Sequence, residues 1–82
     1  LINNFEVYGS VDKIGHIAFR YCCMKRFICH GSVKHIGMWA FFGNDLRKLS
    51  VGKDIQSIGE RAFEDCGKVK KPRVKKKVNY KK

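Results

Sequence analysis

SVDKIGHIAFRYCCMKRFICHG (residues 10–31) is followed without a gap by SVKHIGMWAFFGNDLRKLSVGK (residues 32–53) and DIQSIGERAFEDCGKVKKPRVK (residues 54–75). Laid over one another, these 22-residue blocks repeat a residue class column by column. Val11, Val33 and Ile55 share a column, as do Ile14, Ile36 and Ile58, and Gly15, Gly37 and Gly59. Ala18, Ala40 and Ala62 precede Phe19, Phe41 and Phe63, and Cys22, Asn44 and Cys66 align after them. Met24 with Leu46, Phe27 with Leu49, and Cys29 with Val51 complete the apolar set of the first two blocks. The N-terminal stub joins the pattern, because Ile2, Phe5 and Val7 fall on those last three columns one period earlier.

A unit this short encloses no core alone, but stacked copies bring like apolar columns together and bury a continuous interior. Arg26–Cys29 and Lys48–Val51 alternate outward and inward side chains, as a strand requires. Val11–Ile14, Val33–Ile36 and Ile55–Ile58 read as a second extended segment in each unit. The recurring Gly turns the chain, through a positive φ or a close backbone approach. The Ala-Phe pair is expected on a single helical or 3-10 turn, with Phe as the main core filler. At the Cys/Asn column a small side chain satisfies backbone groups inside a bend, or fills it.

The third block departs from the pattern after Cys66. Lys68, Lys71 and Arg73 occupy formerly apolar columns, and Val69, Pro72 and Val74 are apolar one residue later. Either a bulge carries a last strand or the stack stops near Gly67; a frayed last strand leading into a tail is the favoured reading, since Pro72 lacks an N–H. The expected organisation is therefore a repeat domain over 1–67 (half repeat 1–9, repeats 10–31 and 32–53, and a third from 54 onward). A flexible basic tail over 68–82 follows it. The segment opens on Leu1, which suggests a piece of something longer.

The formal charge of +11 belongs mostly to that tail. The eighteen Lys and Arg divide equally at residue 68, and all seven acidic groups precede it, so the body carries only +2. No signal-peptide pattern is visible, and no apolar run approaches the roughly 20 residues that span a bilayer.

The recurring Ile-Gly-x-x-Ala-Phe-x-x-Cys/Asn pattern closely resembles the BspA-like (Treponema-type) leucine-rich repeat. It stands here as Ile14-Gly15, Ala18-Phe19 and Cys22; as Ile36-Gly37, Ala40-Phe41 and Asn44; and as Ile58-Gly59, Ala62-Phe63 and Cys66. The resemblance covers roughly residues 1–67. It implies an α/β fold, a short leucine-rich-repeat solenoid of stacked coils, and a role in adhesion or protein–protein interaction. It names no ligand. The compartment stays open: cell surface or secreted if the parent follows the bacterial family, cytoplasmic or nuclear if the basic tail is a signal.

Chemistry-bearing residues are sparse. Cys22 and Cys66 share a column two repeats apart, and at about 4.8 Å per stacked strand their Cα atoms lie about 10 Å apart, too far to bridge. Cys29 aligns with Val7 and Val51 and is expected in the core, whereas Cys23 is expected to face solvent. A zinc site from Cys22, Cys23, Cys29 and His30, with His16 or His35, lacks a standard ligand spacing, and the histidines are expected on solvated turns. Ser10, Ser32, Ser50 and Ser57 sit in no nucleophile motif, and Gly37 and Gly43 make no phosphate-cradling loop. No catalytic residue, metal or cofactor is therefore expected.

Function is expected on the variable positions between the apolar columns. On the strand face these are Lys25, Arg26 and Ile28, then Arg47, Lys48 and Ser50, a basic stripe continuing to Lys70 and Lys71. Two readings stand: a solvated edge that blunts strand pairing, or a surface for an acidic partner. Trp39, Phe42 and Tyr21 flank the Ala-Phe turns, either as exposed anchors of an interface or as cover for the turn side of the core. In the tail, Lys70, Lys71, Arg73, Lys75, Lys76 and Lys77 resemble a short import signal and suit an import receptor or the phosphates of a nucleic acid. The leading expectation is a protein-interaction module with Lys25, Arg26, Arg47, Lys48 and Trp39 at the contact. The alternative is a polyanion-binding or nuclear protein that binds through its tail.

Overall fold

A computed structural model describes residues 3–74. Six short strands follow one another: β1 (Asn4–Val7), β2 (Val11–Ile14), β3 (Arg26–Cys29), β4 (Val33–Ile36), β5 (Lys48–Ser50) and β6 (Ser57–Ile58). Odd and even strands form separate three-stranded parallel sheets, β1-β3-β5 and β2-β4-β6. Each pairing steps by one sequence period: Phe5 lies opposite Phe27 and Phe27 opposite Leu49, Val11 opposite Val33 and Ile36 opposite Ile58. The paired columns are those read from the sequence, and the arrangement fits a repeat solenoid.

Between the sheets lies one apolar cluster. Met24, Phe27, Val33, Ile36, Ala40, Phe41 and Leu46 are at most 1 % exposed. Phe41 stacks on Phe63 (5.2 Å between centroids) and on Phe19 (5.4 Å), and meets Phe27 edge-on at 5.0 Å. The phenylalanines of three coils thus form one aromatic column, an arrangement that adds to simple area burial.

The turns differ from the sequence expectation. Among the described residues there is no α-helix and no 3-10 helix, so the α part of the expected α/β class is corrected. The Ala-Phe segment is a run of tight turns whose N–H groups alternate in destination. Those of Ile17, Phe19 and Tyr21 donate to the carbonyls of Met38, Ala40 and Phe42 in the next coil, at 2.8–2.9 Å. Those of Ala18 and Arg20 turn back to Gly15 and Ile17 at 3.3 and 3.2 Å. A helix would keep both sets within the segment; here the neighbouring coil takes every second one.

Glycine's role is also sharper than expected. Gly15, Gly37 and Gly59 are not among the positive-φ glycines; the positive φ lies two residues later, at Ile17 (66°), Trp39 (61°) and Arg61 (57°). Each is the third residue of a turn begun at the Gly, the position where a type II turn requires it. What Gly supplies is close approach: a Cβ on Gly37 would lie 2.6 Å from the His16 nitrogen and 2.7 Å from the Gly15 carbonyl carbon.

The Cys/Asn column ties the coils together. Asn44, 5 % exposed, accepts at Oδ1 from the N–H groups of Cys22 (3.1 Å) and Met24 (2.9 Å). Its Nδ2 donates to the carbonyls of Phe19 (2.7 Å) and Phe41 (2.8 Å). In the next coil the Cys66 thiol donates to the Phe41 carbonyl at 2.7 Å, the equivalent of the Asn44–Phe19 bond. Among residues 68–74 no strand forms, although Val69 packs against the core.

Candidate functional site

The outer face of β1-β3-β5 carries the predicted basic stripe. Asn4, Arg26 and Lys48 lie opposite one another across the sheet, and all three are exposed. Lys25 and Arg47 precede the strands and are joined by the bond from the Arg47 N–H to the Lys25 carbonyl, 2.8 Å. Asp45 stands between their side chains, 3.7 Å from Lys25 Nζ and 3.6 Å from Arg47 Nη2. Such exposed pairs are worth about 0–1 kcal/mol, so Asp45 trims the positive field more than it stabilises the fold. Ile28, read as outward-facing from the sequence, is only 8 % exposed and lies outside the main core cluster.

At the other end of the same strands a trio escaped the sequence reading. His30 Nε2 lies 2.5 Å from Glu6 Oε2, and the Tyr8 ring stacks on the His30 ring at 4.6 Å. The hydrogen bond to His30 draws the Glu6 carboxyl below its ordinary range. The 22-residue step joining Tyr8 to His30 was the available signal, but neither is apolar enough to register as a core column.

Trp39 occupies a different surface. It lies half-buried on the turn side, 4.6 Å from Phe42, which meets Tyr21 edge-on at 5.4 Å. The Arg20 and Arg61 guanidinium groups sit 5.3 and 5.6 Å from its ring centre, within cation–π range. Phe42 is half-buried and Tyr21 exposed, so this cluster both covers the turns and presents a rim. Among the described residues no hydrogen bond, ion pair or ring contact joins Trp39 to Lys25, Arg26, Arg47 or Lys48.

Lys70, Lys71 and Arg73 are exposed and, with Lys53, line an open cavity of about 440 Å³ whose floor is Leu49–Gly52. Lys75, Lys76 and Lys77 lie outside the described residues.

The cysteines and histidines are dispersed. Cys23 is exposed, Cys22 half-buried, and Cys29 and Cys66 buried, all as free thiols. His16 and His30 are exposed on turns, but His35 lies within β4, its Nδ1 2.8 Å from Ser57 Oγ, which corrects its expected place on a turn. Among the described residues no group of three or more His, Cys, Asp or Glu could hold a metal ion, and no helix is long and apolar enough to cross a membrane.

Compared with known proteins, residues 1–82 match a family model described as BspA type leucine rich repeat region (6 copies). No curated protein and no solved structure gives a match.

Proposed function

The chain belongs to the BspA-type leucine-rich-repeat family, and from that premise we propose that it is a non-catalytic protein-interaction or adhesion module built as an open solenoid. The observation that carries this reading is the in-register row Asn4–Arg26–Lys48, flanked by Lys25 and Arg47, on a sheet whose other face is core. A parallel ladder fixes the spacing of the Arg26 and Lys48 backbones, so the two cations leave the sheet from neighbouring strands. Lys25, Arg26, Arg47 and Lys48 are assigned to an acidic protein surface, and Trp39, with Arg20 and Arg61 around it, to a second contact on the turn side.

An alternative reading rests on Lys53, Lys70, Lys71 and Arg73 converging on one cavity with no acidic residue in its lining. In that reading the basic segment 68–82 is a separate tail that carries the affinity, for a nucleic acid or an import receptor, and the repeats are scaffold.

The two separate in one set of titrations against acidic peptides and a generic DNA duplex at several salt concentrations. The variants are a strand-face charge reversal (Lys25, Arg26, Arg47 and Lys48 to Glu) and a tail neutralisation (Lys70, Lys71, Arg73, Lys75, Lys76 and Lys77 to Gln). Loss of peptide binding in the strand-face variant alone supports the module. Steeply salt-dependent duplex binding that vanishes only in the tail variant puts the alternative first.

A further inference from the structure

Lys13, His35 and Ser57 lie opposite one another across β2-β4-β6, one from each strand. With His16, on the turn after β2, they line an open cavity of about 400 Å³, within the ~300–1,000 Å³ range of small-molecule sites. The cavity spans three successive coils on one flank of the stack, on the sheet other than the one that carries Arg26 and Lys48. No carboxylate lines it, and the backbone of Gly37 and Gly59 forms part of its wall.

The N–H groups of the two glycines are already used: they donate to the Ile14 and Ile36 carbonyls at 2.8 and 2.7 Å. The Met38 N–H donates to His16 Nδ1, also at 2.8 Å. Because Nδ1 accepts, the neutral His16 ring carries its proton on Nε2, which is then a donor with no lone pair for a metal ion. His35 Nδ1 lies 2.8 Å from Ser57 Oγ. If that nitrogen accepts, the His35 Nε2–H is left over; if it donates, the Ser57 O–H is left over. Either arrangement leaves one donor for a ligand. The Lys13 ammonium adds further donors and the positive charge.

We propose that Lys13, His16, His35 and Ser57 form a binding site for a tetrahedral oxyanion, the phosphate or sulfate group of a small ligand. The donors come from three strands and a turn, so they approach from several directions. A tetrahedral anion has an acceptor oxygen for each, whereas a planar carboxylate offers only two. Hydrogen bonds to such an anion are charge-assisted and roughly twice as strong as neutral ones. The cavity is larger than a bare anion fills, which leaves room for the carbon skeleton of an ester beside Gly37 and Gly59. This site is separate from the strand face assigned to an acidic partner, and neither assignment depends on the other.

The test is a titration of the full chain with inorganic phosphate at fixed pH and ionic strength, following the ring protons of His16 and His35 by NMR. Both sets should move together and saturate with one dissociation constant of roughly 1 mM. Inorganic sulfate should compete, and acetate should not. Lys13→Gln should weaken phosphate binding roughly tenfold, and Ser57→Ala several-fold. Lys34→Gln removes the same charge from an exposed β4 position outside the lining and should leave the affinity unchanged. Glycerol phosphate binding more tightly than inorganic phosphate makes an ester the ligand, and the reverse order makes it the free anion; both orders support the site. Ring shifts that rise without saturating, acetate that competes as well as sulfate, or Lys34→Gln losing as much affinity as Lys13→Gln would overturn it, since the anion would then only screen a basic surface.

Discussion

Asn44 Nδ2 lies 2.7 Å from the carbonyl oxygen of Phe19, one coil away, and 2.8 Å from that of Phe41 in its own coil. One amide therefore closes two backbone acceptors while its oxygen closes two donors, and among the described residues no buried side-chain nitrogen or oxygen lacks a partner. Cys66 performs part of this task one coil on, with its thiol donating to the Phe41 carbonyl and the Asn44 N–H facing its sulfur. The column thus accepts either residue because the preceding coil's carbonyl is the common partner.

Replacing Asn44 by Ala strands the N–H groups of Cys22 and Met24 and the Phe19 carbonyl, while the Phe41 carbonyl keeps the Cys66 thiol; the loss should be about 3–5 kcal/mol, at roughly 1–3 kcal/mol for each orphaned group. Asn44→Cys should lose less, because a thiol in this column still reaches the carbonyl below. Urea midpoints of the two variants check the order; equal losses would mean that the amide only fills space.

Phe41→Ala should cost about 3–5 kcal/mol, because Phe41 is fully buried and three other phenylalanine rings pack on it. Phe19→Ala, from the half-buried end of the same column, should cost about 1–2 kcal/mol. Thermal or urea unfolding separates the two, and an unmoved midpoint for Phe41→Ala would rule out the stacked core.

Burial pushes the Cys66 thiol up from 9.0 to about 11. At pH 8 iodoacetamide should label exposed Cys23 readily and reach Cys66 only after unfolding. The unfolded chain loses this proton near pH 9 while the folded chain keeps it to about pH 11, so stability contributed by the neutral thiol falls across that interval. Cys66→Ala should flatten the corresponding part of the stability–pH curve, read from urea midpoints at pH 8, 9, 10 and 11.

The register was legible because apolar identity repeats at a fixed step, and pairs such as Val11 with Val33 or Phe27 with Leu49 follow from it directly. The turns were not. Ala18-Phe19 suits a helical turn locally, and what excludes one is the Ala40 carbonyl of the next coil, which takes the Phe19 N–H. Alternation placed Ile28 outward, yet the position is enclosed on the outer sheet face. Of the candidate contact residues, spacing placed Arg26 and Lys48 in one row, but it carried no sign of Asp45 reaching both Lys25 and Arg47. Trp39 stands beside the Ala-Phe turns, where the spacing put it, half-buried against Phe42.

The one-period step of every ladder pair has a mechanical consequence. Pulled along the stacking axis, the described strands pair only with those of the neighbouring coil, so they should peel coil by coil under a nearly constant load. Each release would add roughly 75 Å of extended contour, at about 3.3–3.6 Å per residue. The molecule would then yield as a compliant spring, lengthening before it loses its last coil, where a domain held by distant contacts would snap.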